Sequence, residues 1–298
     1  MAAAHADEVR LGGVSLPGGH RLVSLATRPD LRRAMTDFNG RVWATFMLQD
    51  PVPDANWHHL DEDWPGHQLL LLDAQDAIAA TSNAAPIAWD GTDAGLPVGW
   101  DDQFLRSVAG LTDGSAPTAL GALQIVVDPA RQGSGLSGVM LDVMHAQARA
   151  AGYGAVIACV RPTWKERYPL VPIERYAWWV RDDGLPFDPW IRLHARLGGR
   201  IVRPVARSMT MIGTVAEWGS WTGMAFPESG DYVVPRAAAL VSIDRDADRG
   251  VYHDPNVWMV HDLTAAARPD PSISEQTEDP WQARPTSPRT NGRDWRRV

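Results

Sequence analysis

A glycine-rich turn near the middle of the chain has the composition of an anion-binding site. Residues 132–137 read Gln-Gly-Ser-Gly-Leu-Ser and follow an apolar run over 120–127 that predicts a strand. From Leu136 onward, apolar residues recur at helical spacing, so a helix is predicted to begin there. A glycine turn that opens a helix leaves several backbone N–H groups unpaired at the positive end of the helix dipole. The turn is therefore expected to bind an anion such as a phosphate group.

Two well-known phosphate-binding motifs do not fit this turn. It lacks the Lys-Ser/Thr ending of a P-loop. Gly133, Gly135 and Gly138 satisfy the G-x-G-x-x-G spacing of dinucleotide-binding folds. In those folds the first glycine follows the strand almost directly, and an acidic residue ends the next strand. Here residues 128–132 intervene, and the next apolar run ends in Arg161, so neither motif is predicted.

The turn resembles motif A of the GNAT superfamily of acyl-coenzyme A N-acyltransferases. That motif runs Gln/Arg-x-x-Gly-x-Gly/Ala after a strand that ends in a Val-x-Pro-like step. Gln132 takes the first position and Gly135 the glycine, whereas Ser137 stands where the family has Gly or Ala. The resemblance implies that acetyl-CoA or another acyl-CoA is the co-substrate. The residues implied in binding it are Ile125, Val126, Val127, Gln132, Gly133, Ser134, Gly135, Leu136 and Ser137.

The resemblance also implies a fold and a division of the chain. The expected fold class is α/β (α+β): a GNAT fold with a mixed central sheet, splayed strands and flanking helices, plus a C-terminal extension. The splayed strands, which admit the pantetheine, would be 120–127 and 154–160. The division is 1–17 as an N-terminal extension, 18–262 as the acyltransferase domain and 263–298 as a disordered tail, because the tail has few apolar residues. Within the domain, 161–187 is predicted as an insertion and 214–262 as the C-terminal extension.

Local patterns predict the elements that would surround the turn. Further strands are predicted over 20–26, 68–72, 77–89, 200–205, 207–212, 232–243 and 257–261. Helices are predicted over 29–38, 41–48, 100–109, 188–197 and the stretch TVAEWGSWTG. Residues 50–66, rich in Pro, Trp, Asp and His, are predicted to form a loop.

Acyl transfer to an amine needs a group that removes a proton and a donor for the leaving thiolate. In the family the donor is commonly a tyrosine in a Tyr-x-x-x-Gly pattern, and the alignment places His194 at that position, ahead of Gly198. Gln124 lies where the family often has a base, Glu, and an amide cannot take a proton. The base would then be water or a group of the insertion. The candidate catalytic residues are His194, Glu166, Glu174, Tyr168 and Tyr176.

Fourteen tryptophans are an unusual number for 298 residues. Each could belong to an apolar core or to an aromatic-lined cleft for the acceptor, since ligand pockets are mostly apolar with a few polar groups. The candidate substrate-binding residues are Gln124, Trp43, Trp164 and Trp178.

Composition narrows the possible partners and compartments. The net charge of −8 argues against a nucleic-acid partner, and no apolar run reaches transmembrane length. The single cysteine, Cys159, excludes a disulfide framework, and no secretory signal opens the chain, so a cytoplasmic protein is expected, with a homodimer allowed. His58, His59, Asp61, Asp63 and His67 lack the spacing of a metal site, and no metal is predicted.

The resulting hypothesis is an N-acyltransferase that moves an acyl group, expected to be acetyl, from coenzyme A to the amine of a small molecule. A second hypothesis keeps the fold but uses an acyl-carrier protein or aminoacyl-tRNA as donor, or decarboxylates a malonyl thioester. A third is a non-catalytic sensor of acyl-CoA, which the missing strand Glu keeps open.

Overall fold

Nine strands form one mixed sheet within residues 8–264, the part of the chain that the computed structural model describes. They are β1 (Arg21–Ser24), β2 (Gln68–Leu72), β3 (Ile78–Ile87), β4 (Ala119–Val127), β5 (Ala155–Val160), β6 (Arg200–Gly213), β7 (Gly230–Tyr232), β8 (Val241–Asp244) and β9 (Arg249–Asp262). The order is β1-β2-β3-β4-β5-β9-β8-β7, and β6 pairs with β9. Only β4 and β5 are parallel among these pairs. The predicted fold class is confirmed.

Helices cover both faces of this sheet. They are α1 (Arg32–Gly40), α2 (Pro51–Asn56), α3 (His58–Glu62), α4 (Trp100–Asp113), α5 (Leu136–Ala150), α6 (Ile173–Tyr176), α7 (Pro189–Arg196) and α8 (Val215–Thr222). Side chains of β5 alternate between the two faces, as a pleated strand requires. Ile157 and Cys159 pack with residues of α3 and α4, whereas Val156 packs with α5 and Val160 with α6 and α7. Apolar side chains therefore pack on both faces of the sheet.

The parallel pairing of β4 and β5 stops halfway along the strands. It runs from Ala119 opposite Ala155 to Ala122 opposite Ala158 and goes no further. At the same point β4 contains a bulge against β3, which leaves Leu123 without a partner in the register. A bulge bends its strand, so the ends of β4 and β5 separate, and the predicted splay is confirmed.

Side chains of α4 satisfy the backbone groups that this separation exposes. The indole Nε1 of Trp100 donates to the Leu123 carbonyl at 2.8 Å, and the amide of Gln103 donates to the Ala122 carbonyl at 3.0 Å. Buried carbonyl groups without a partner would cost free energy. These two bonds therefore stabilise the gap as part of the fold.

Four local predictions are wrong. The strand predicted over 232–243 is interrupted, because β7 ends at Tyr232 and β8 begins at Val241. Residues 50–66, predicted as a loop from their content of Pro, Trp, Asp and His, contain α2 and α3. Asp50 and Pro51 begin α2, where Asp50 is the N-cap and accepts from Val52 N at 2.9 Å. The helix predicted over 41–48 is only a 3-10 helix, Thr45–Gln49. The two strands predicted over 200–212 are one strand, β6, with an irregular register between Val205 and Met209.

The regions predicted as extensions contribute to the main core and sheet. Residues 214–262 supply β9, whose C-terminal half pairs with β5 and whose N-terminal half pairs with β8. Near the N-terminus, Val9 N donates to the Leu22 carbonyl at 2.7 Å, and Val9, Leu11 and Val14 pack against the core beside β1. Of the predicted tail, only residues 263 and 264 lie within the described residues.

The insertion forms an aromatic cluster that supports α7. The rings of Tyr168, Tyr176, Trp179 and Phe187 lie with centroids 5.1 to 6.2 Å apart. The carboxylate of Asp188, the N-cap of α7, is buried beneath this cluster. It accepts hydrogen bonds at 2.8 to 3.2 Å from the N–H groups of Thr163, Trp164, Trp190 and Ile191 and from the Tyr176 hydroxyl.

Asp188→Ala should destabilise the protein because it removes a helix cap and leaves buried donors without an acceptor. We expect a loss of about 2–4 kcal/mol in the free energy of unfolding, measured by urea denaturation. Asp183→Ala is the matched control. Asp183 lies on an exposed loop, where it accepts from Leu185 N and forms an exposed ion pair with Arg181, so its loss should change stability by less than about 0.5 kcal/mol. Equal stability of the two variants would show that the insertion does not hold α7 through Asp188.

Candidate active site

The glycine turn leads into α5 with unpaired N–H groups. Gly133 and Gly135 have φ of 79° and 81°, which glycine adopts without strain, and Gly135 is the N-cap of α5. The N–H groups of Gly133, Gly135, Leu136 and Ser137 have no hydrogen-bond partner among the described residues. The turn thus has the donors that an anion site requires.

Arg131 fixes the turn to the hairpin between β2 and β3. Its guanidinium forms an ion pair with Asp73, which in turn accepts from Ala77 N at 2.9 Å and Gln75 N at 2.8 Å. These backbone N–H groups, with a smaller contribution from Arg131, hold the pKa of Asp73 below its usual value. The start of α5 is therefore anchored to the sheet on the side of the turn.

A cavity of about 460 Å³ lies where β4 and β5 separate. This volume is typical of a site for a small ligand. Its walls come from 122–125 of β4, from 158–161 at the end of β5, and from α5 and α7. Aromatic and apolar side chains close it, namely Trp43, Met47, Trp57, Trp100, Met144, Trp190 and Met209.

His194 lies in the wall of this cavity, with 2% of its surface exposed. Its Nδ1 is 2.9 Å from Nε2 of His261, and its own Nε2 has no partner among residues 8–264. Burial, and then the neighbouring His261 and His145, lower the pKa of His194 well below the usual 6.5. The imidazole is therefore neutral at neutral pH and can take a proton in the cavity.

Gln124 and Trp43, both predicted to bind substrate, lie together in the cavity wall. The amide oxygen of Gln124 accepts from Trp43 Nε1 at 3.0 Å, and its nitrogen donates to Asn83 Oδ1 at 2.7 Å. Asn83 also accepts from the Asn39 amide at 3.1 Å. Gln124 thus orients the indole of Trp43 rather than exchanging protons.

Of the insertion, Arg161 lines the cavity, but the residues predicted to bind substrate or to act in catalysis do not. Glu166 and Glu174 are exposed, and Trp178 is 51% exposed. Tyr176 is buried in the aromatic cluster, where burial and then Asp188 raise its pKa, while Tyr168 packs beside it. Trp164 packs on Phe187, 5.5 Å between ring centroids. The charged and aromatic pattern of the insertion reflects its packing on β5 and β9, away from the gap.

Sequence reasoning missed a buried acidic group behind the Trp100 wall. Asp50 and Asp101 are neighbours; burial, followed by the charge of Asp50, raises the pKa of Asp101 to about 8, and burial raises that of Asp50. Asp254 accepts from Tyr252 Oη at 2.6 Å and from Nε of Arg161, a cavity residue, at 2.9 Å. Asp50, Asp101 and Asp254 are far apart in sequence, so no local pattern could predict that they interact.

Cys159 also lines the cavity but is a poor nucleophile. Its Sγ lies 3.1 Å from Ser208 Oγ, and burial raises the pKa of the thiol to about 12. A thiol that stays protonated at neutral pH does not attack a thioester readily.

The histidines and acids of 58–67 do not converge on one point. His59 Nδ1 lies 2.7 Å from the carboxylate of Asp63, and within residues 8–264 no three His, Cys, Asp or Glu side chains are grouped to hold a metal ion. In the same part of the chain, no helix is both long enough and apolar enough to cross a membrane.

The chain was compared with known families, proteins and structures. No family model matches it. It is 30% identical over 282 residues to the arginine N-acetyltransferase avaD of Aspergillus versicolor. This match covers 84% of this chain and 97% of that protein. The loading GNATL domain of CurA from Lyngbya majuscula superposes with a TM-score of 0.51 at 16% identity, over 82% of this chain and 98% of that one. The GNAT-like decarboxylase GphF, solved in complex with isobutyryl-CoA, superposes with a TM-score of 0.45 at 22% identity, over 77% of this chain and 96% of that one.

The likeness to CurA concerns the fold alone, which has the same open sheet flanked by helices. The relative from Aspergillus versicolor carries more weight, because the match extends over nearly its whole length. It confirms what motif A predicted: the chain belongs to the GNAT superfamily and is an acyl-coenzyme A N-acyltransferase.

Proposed function

We propose that this protein acetylates the amine of a small cationic molecule, with arginine as the first candidate. The observation that carries the proposal is the cavity at the β4–β5 gap, which has a neutral histidine in its wall. The anion donors lie outside the cavity, at the turn that begins α5. The single cysteine and its burial in β5 support a cytoplasmic location.

The donor side of the site is formed by the turn and β4. The free N–H groups of Gly133, Gly135, Leu136 and Ser137 would hold the pyrophosphate of coenzyme A, with Gln132 and Ser134 exposed beside them. The pantetheine would then run along the bent end of β4, where Ile125 lines the cavity and Val126 and Val127 lead to the turn. This path ends at the gap.

The acceptor side is aromatic and acidic. Trp43, Trp57 and Trp100 line it, and indole faces attract cations. Asp54 lies in the same wall. The relative named above is an arginine N-acetyltransferase, and arginine has the charge that such surroundings favour.

The proposed proton acceptor in the cavity is His194. It replaces the strand Glu, because the amide of Gln124 cannot accept a proton and both ends of that amide are hydrogen-bonded. We propose that Glu166, Glu174, Tyr168, Tyr176, Trp164 and Trp178 support the insertion and α7 rather than contact substrate, since none of them lines the cavity.

Ser137→Glu tests the donor side. A carboxylate in the first turn favours a helix, so the fold should be kept, but the charge should repel a pyrophosphate. We expect acetyl-CoA at about 100 times its wild-type Kd to stabilise the wild type and Ser137→Gln by about 2.7 kcal/mol, and Ser137→Glu hardly at all, measured by thermal unfolding. If the Glu variant gains as much as the Gln variant, the phosphates bind elsewhere.

Arginine and citrulline test the acceptor side, because they differ mainly in the charge at the end of the side chain. Coenzyme A release should be faster with arginine, and Asp54→Asn should raise the KM for arginine about tenfold, equivalent to about 1.4 kcal/mol, with little change for citrulline. Asp63→Asn, on an acid outside the cavity, is the control.

Two other outcomes would contradict parts of this proposal. Equal kcat/KM for the two acceptors, unaffected by Asp54→Asn, would exclude recognition of the cation. Binding of acetyl-CoA without release of coenzyme A, tested with a wide panel of amines, would instead support the acyl-CoA sensor.

A further inference from the structure

We propose that Arg161 binds the carboxylate of the acceptor, so that the protein acetylates free amino acids with a cationic side chain on their α-amine. The inference rests on the proposed function and deepens it, because it names the class of acceptor and the nitrogen that receives the acyl group. Arg161 would hold the acceptor in place and would not itself transfer a proton.

Arg161 lies at the end of β5 that has separated from β4. The parallel pairing of the two strands ends at Ala122 and Ala158, and the cavity wall continues along β5 through Val160 to Arg161. An acceptor held by Arg161 would therefore lie beside the gap, which is where the proposed function places the thioester.

The cavity wall contains one cationic and one anionic side chain. Among the described residues that line it, Arg161 is the only Lys or Arg and Asp54 is the only Asp or Glu. An amino acid with a cationic side chain carries the complementary pair of charges, a carboxylate and a cation at separate points of the same molecule. Complementary charges of this kind select one ligand over others that lack either group.

The guanidinium of Arg161 keeps hydrogen-bond donors free. Its Nε donates to Asp254 at 2.9 Å, and its Nη2 donates to the Arg236 carbonyl at 2.8 Å. Nη1 forms no hydrogen bond within residues 8–264, and 19% of the side chain is exposed. A guanidinium has five N–H donors in a planar fork that matches the two oxygens of a carboxylate. Arg161 can therefore bind a carboxylate without giving up its bonds to the protein.

The surroundings of Arg161 hold the guanidinium in one orientation. Asp254 is fully buried and also accepts from the Tyr252 hydroxyl at 2.6 Å. Arg236, whose carbonyl accepts from Nη2, has a φ of 68°, which is uncommon for a residue with a side chain. The side chain of Arg236 in turn donates to the Val42 carbonyl. A donor that is already ordered in the free protein loses little conformational entropy when a ligand binds.

The attraction for a carboxylate comes from directed N–H groups rather than from net charge. Asp254 already balances the charge of Arg161. The N–H groups of Nη1 still belong to a charged donor, and hydrogen bonds of this kind are stronger than those between neutral groups. The loss of one such bond typically weakens binding by about 10- to 100-fold.

A carboxylate on Arg161 also determines which nitrogen reacts. Only the α-carbon separates the carboxylate from the α-amine, so the amine stays near the end of β5, whereas a guanidinium at the end of the side chain lies farther away. The α-amine is also the easier group to deprotonate, because a guanidinium has a pKa above 12. The expected product from arginine is therefore Nα-acetylarginine.

Arginine, argininamide and agmatine test the subsite in the wild-type protein. Argininamide has nearly the size of arginine but a neutral group in place of the carboxylate, and agmatine lacks the group. We expect kcat/KM for arginine to exceed that for either of the others by at least about 10-fold. The amide makes the α-amine less basic, which alone would favour argininamide. Equal or higher kcat/KM for argininamide or agmatine would overturn the subsite, and so would mass spectra that place the acetyl group on the guanidine.

Arg161→Lys assigns this selectivity to one side chain, because Lys keeps a charge beside Asp254 but lacks the planar fork. We expect KM for arginine to rise about 10-fold, with kcat and the KM for argininamide within about threefold of wild type. Arg203→Lys is the matched control: Arg203 also donates to backbone carbonyls, those of Leu96 and Pro97, but does not line the cavity. A folded Arg161→Lys with the wild-type ratio of arginine to argininamide would overturn the role of Arg161. If this variant does not fold, the three acceptors in the wild type decide.

A carboxylate could also enter the cavity on the acyl donor. Malonyl-CoA carries one, and acetoacetyl-CoA has a methyl group in its place. We expect both to stabilise the wild type and Arg161→Lys equally in thermal unfolding. A larger shift with malonyl-CoA that Arg161→Lys removes would assign Arg161 to the donor and overturn its role in acceptor binding. Coenzyme A release that does not depend on the carboxylate would overturn this inference alone, whereas no release with any amine would overturn the proposed function and the inference with it.

Discussion

The interrupted pairing of β4 and β5 is the feature on which the rest of the molecule depends. Backbone groups buried in a protein need hydrogen-bond partners, so two strands cannot separate in a core without replacements. Here the bulge at Leu123 turns β4 aside, and Trp100 and Gln103 take the carbonyls of Leu123 and Ala122. Helix α4 therefore covers the gap and also supplies the hydrogen-bond donors that the separated strand needs. The cavity exists because β4 and β5 are not paired at this point.

The elements that surround the gap have two functions each. Helix α5 begins at the anion-binding turn and contributes His145 about three turns later, so one helix links the donor site to the histidine cluster. Strand β9 pairs with β5 and carries His261, which makes the C-terminal part of the chain necessary for the site. The insertion contributes only Arg161 to the cavity wall. Its aromatic cluster, together with Asp188, holds α7, and with it His194.

Much of the fold could be predicted because its signals are local. The strand-turn-helix sequence around Gly135, the apolar runs of β4 and β5 and the motif spacing that singled out His194 all lie within short stretches. The function of the insertion could not be predicted, since charges beside aromatic residues are typical of both a lid and a scaffold. Asp50, Asp101 and Asp254, and likewise His145 and His261, meet only through tertiary structure. Helices α2 and α3 were missed because their Pro and Asp residues, which form helix starts, resemble loop composition.

A crystal structure with coenzyme A bound tests the account most directly, because every step of it places the sulfur in the β4–β5 gap. We expect the pantetheine between the ends of the two strands, with its sulfur within hydrogen-bond reach of His194 Nε2, directly or through one water. The phosphates should contact the N–H groups that begin α5. A sulfur that lies beside Tyr168 or Glu174, with the gap empty, would contradict the assignment of both the cavity and His194.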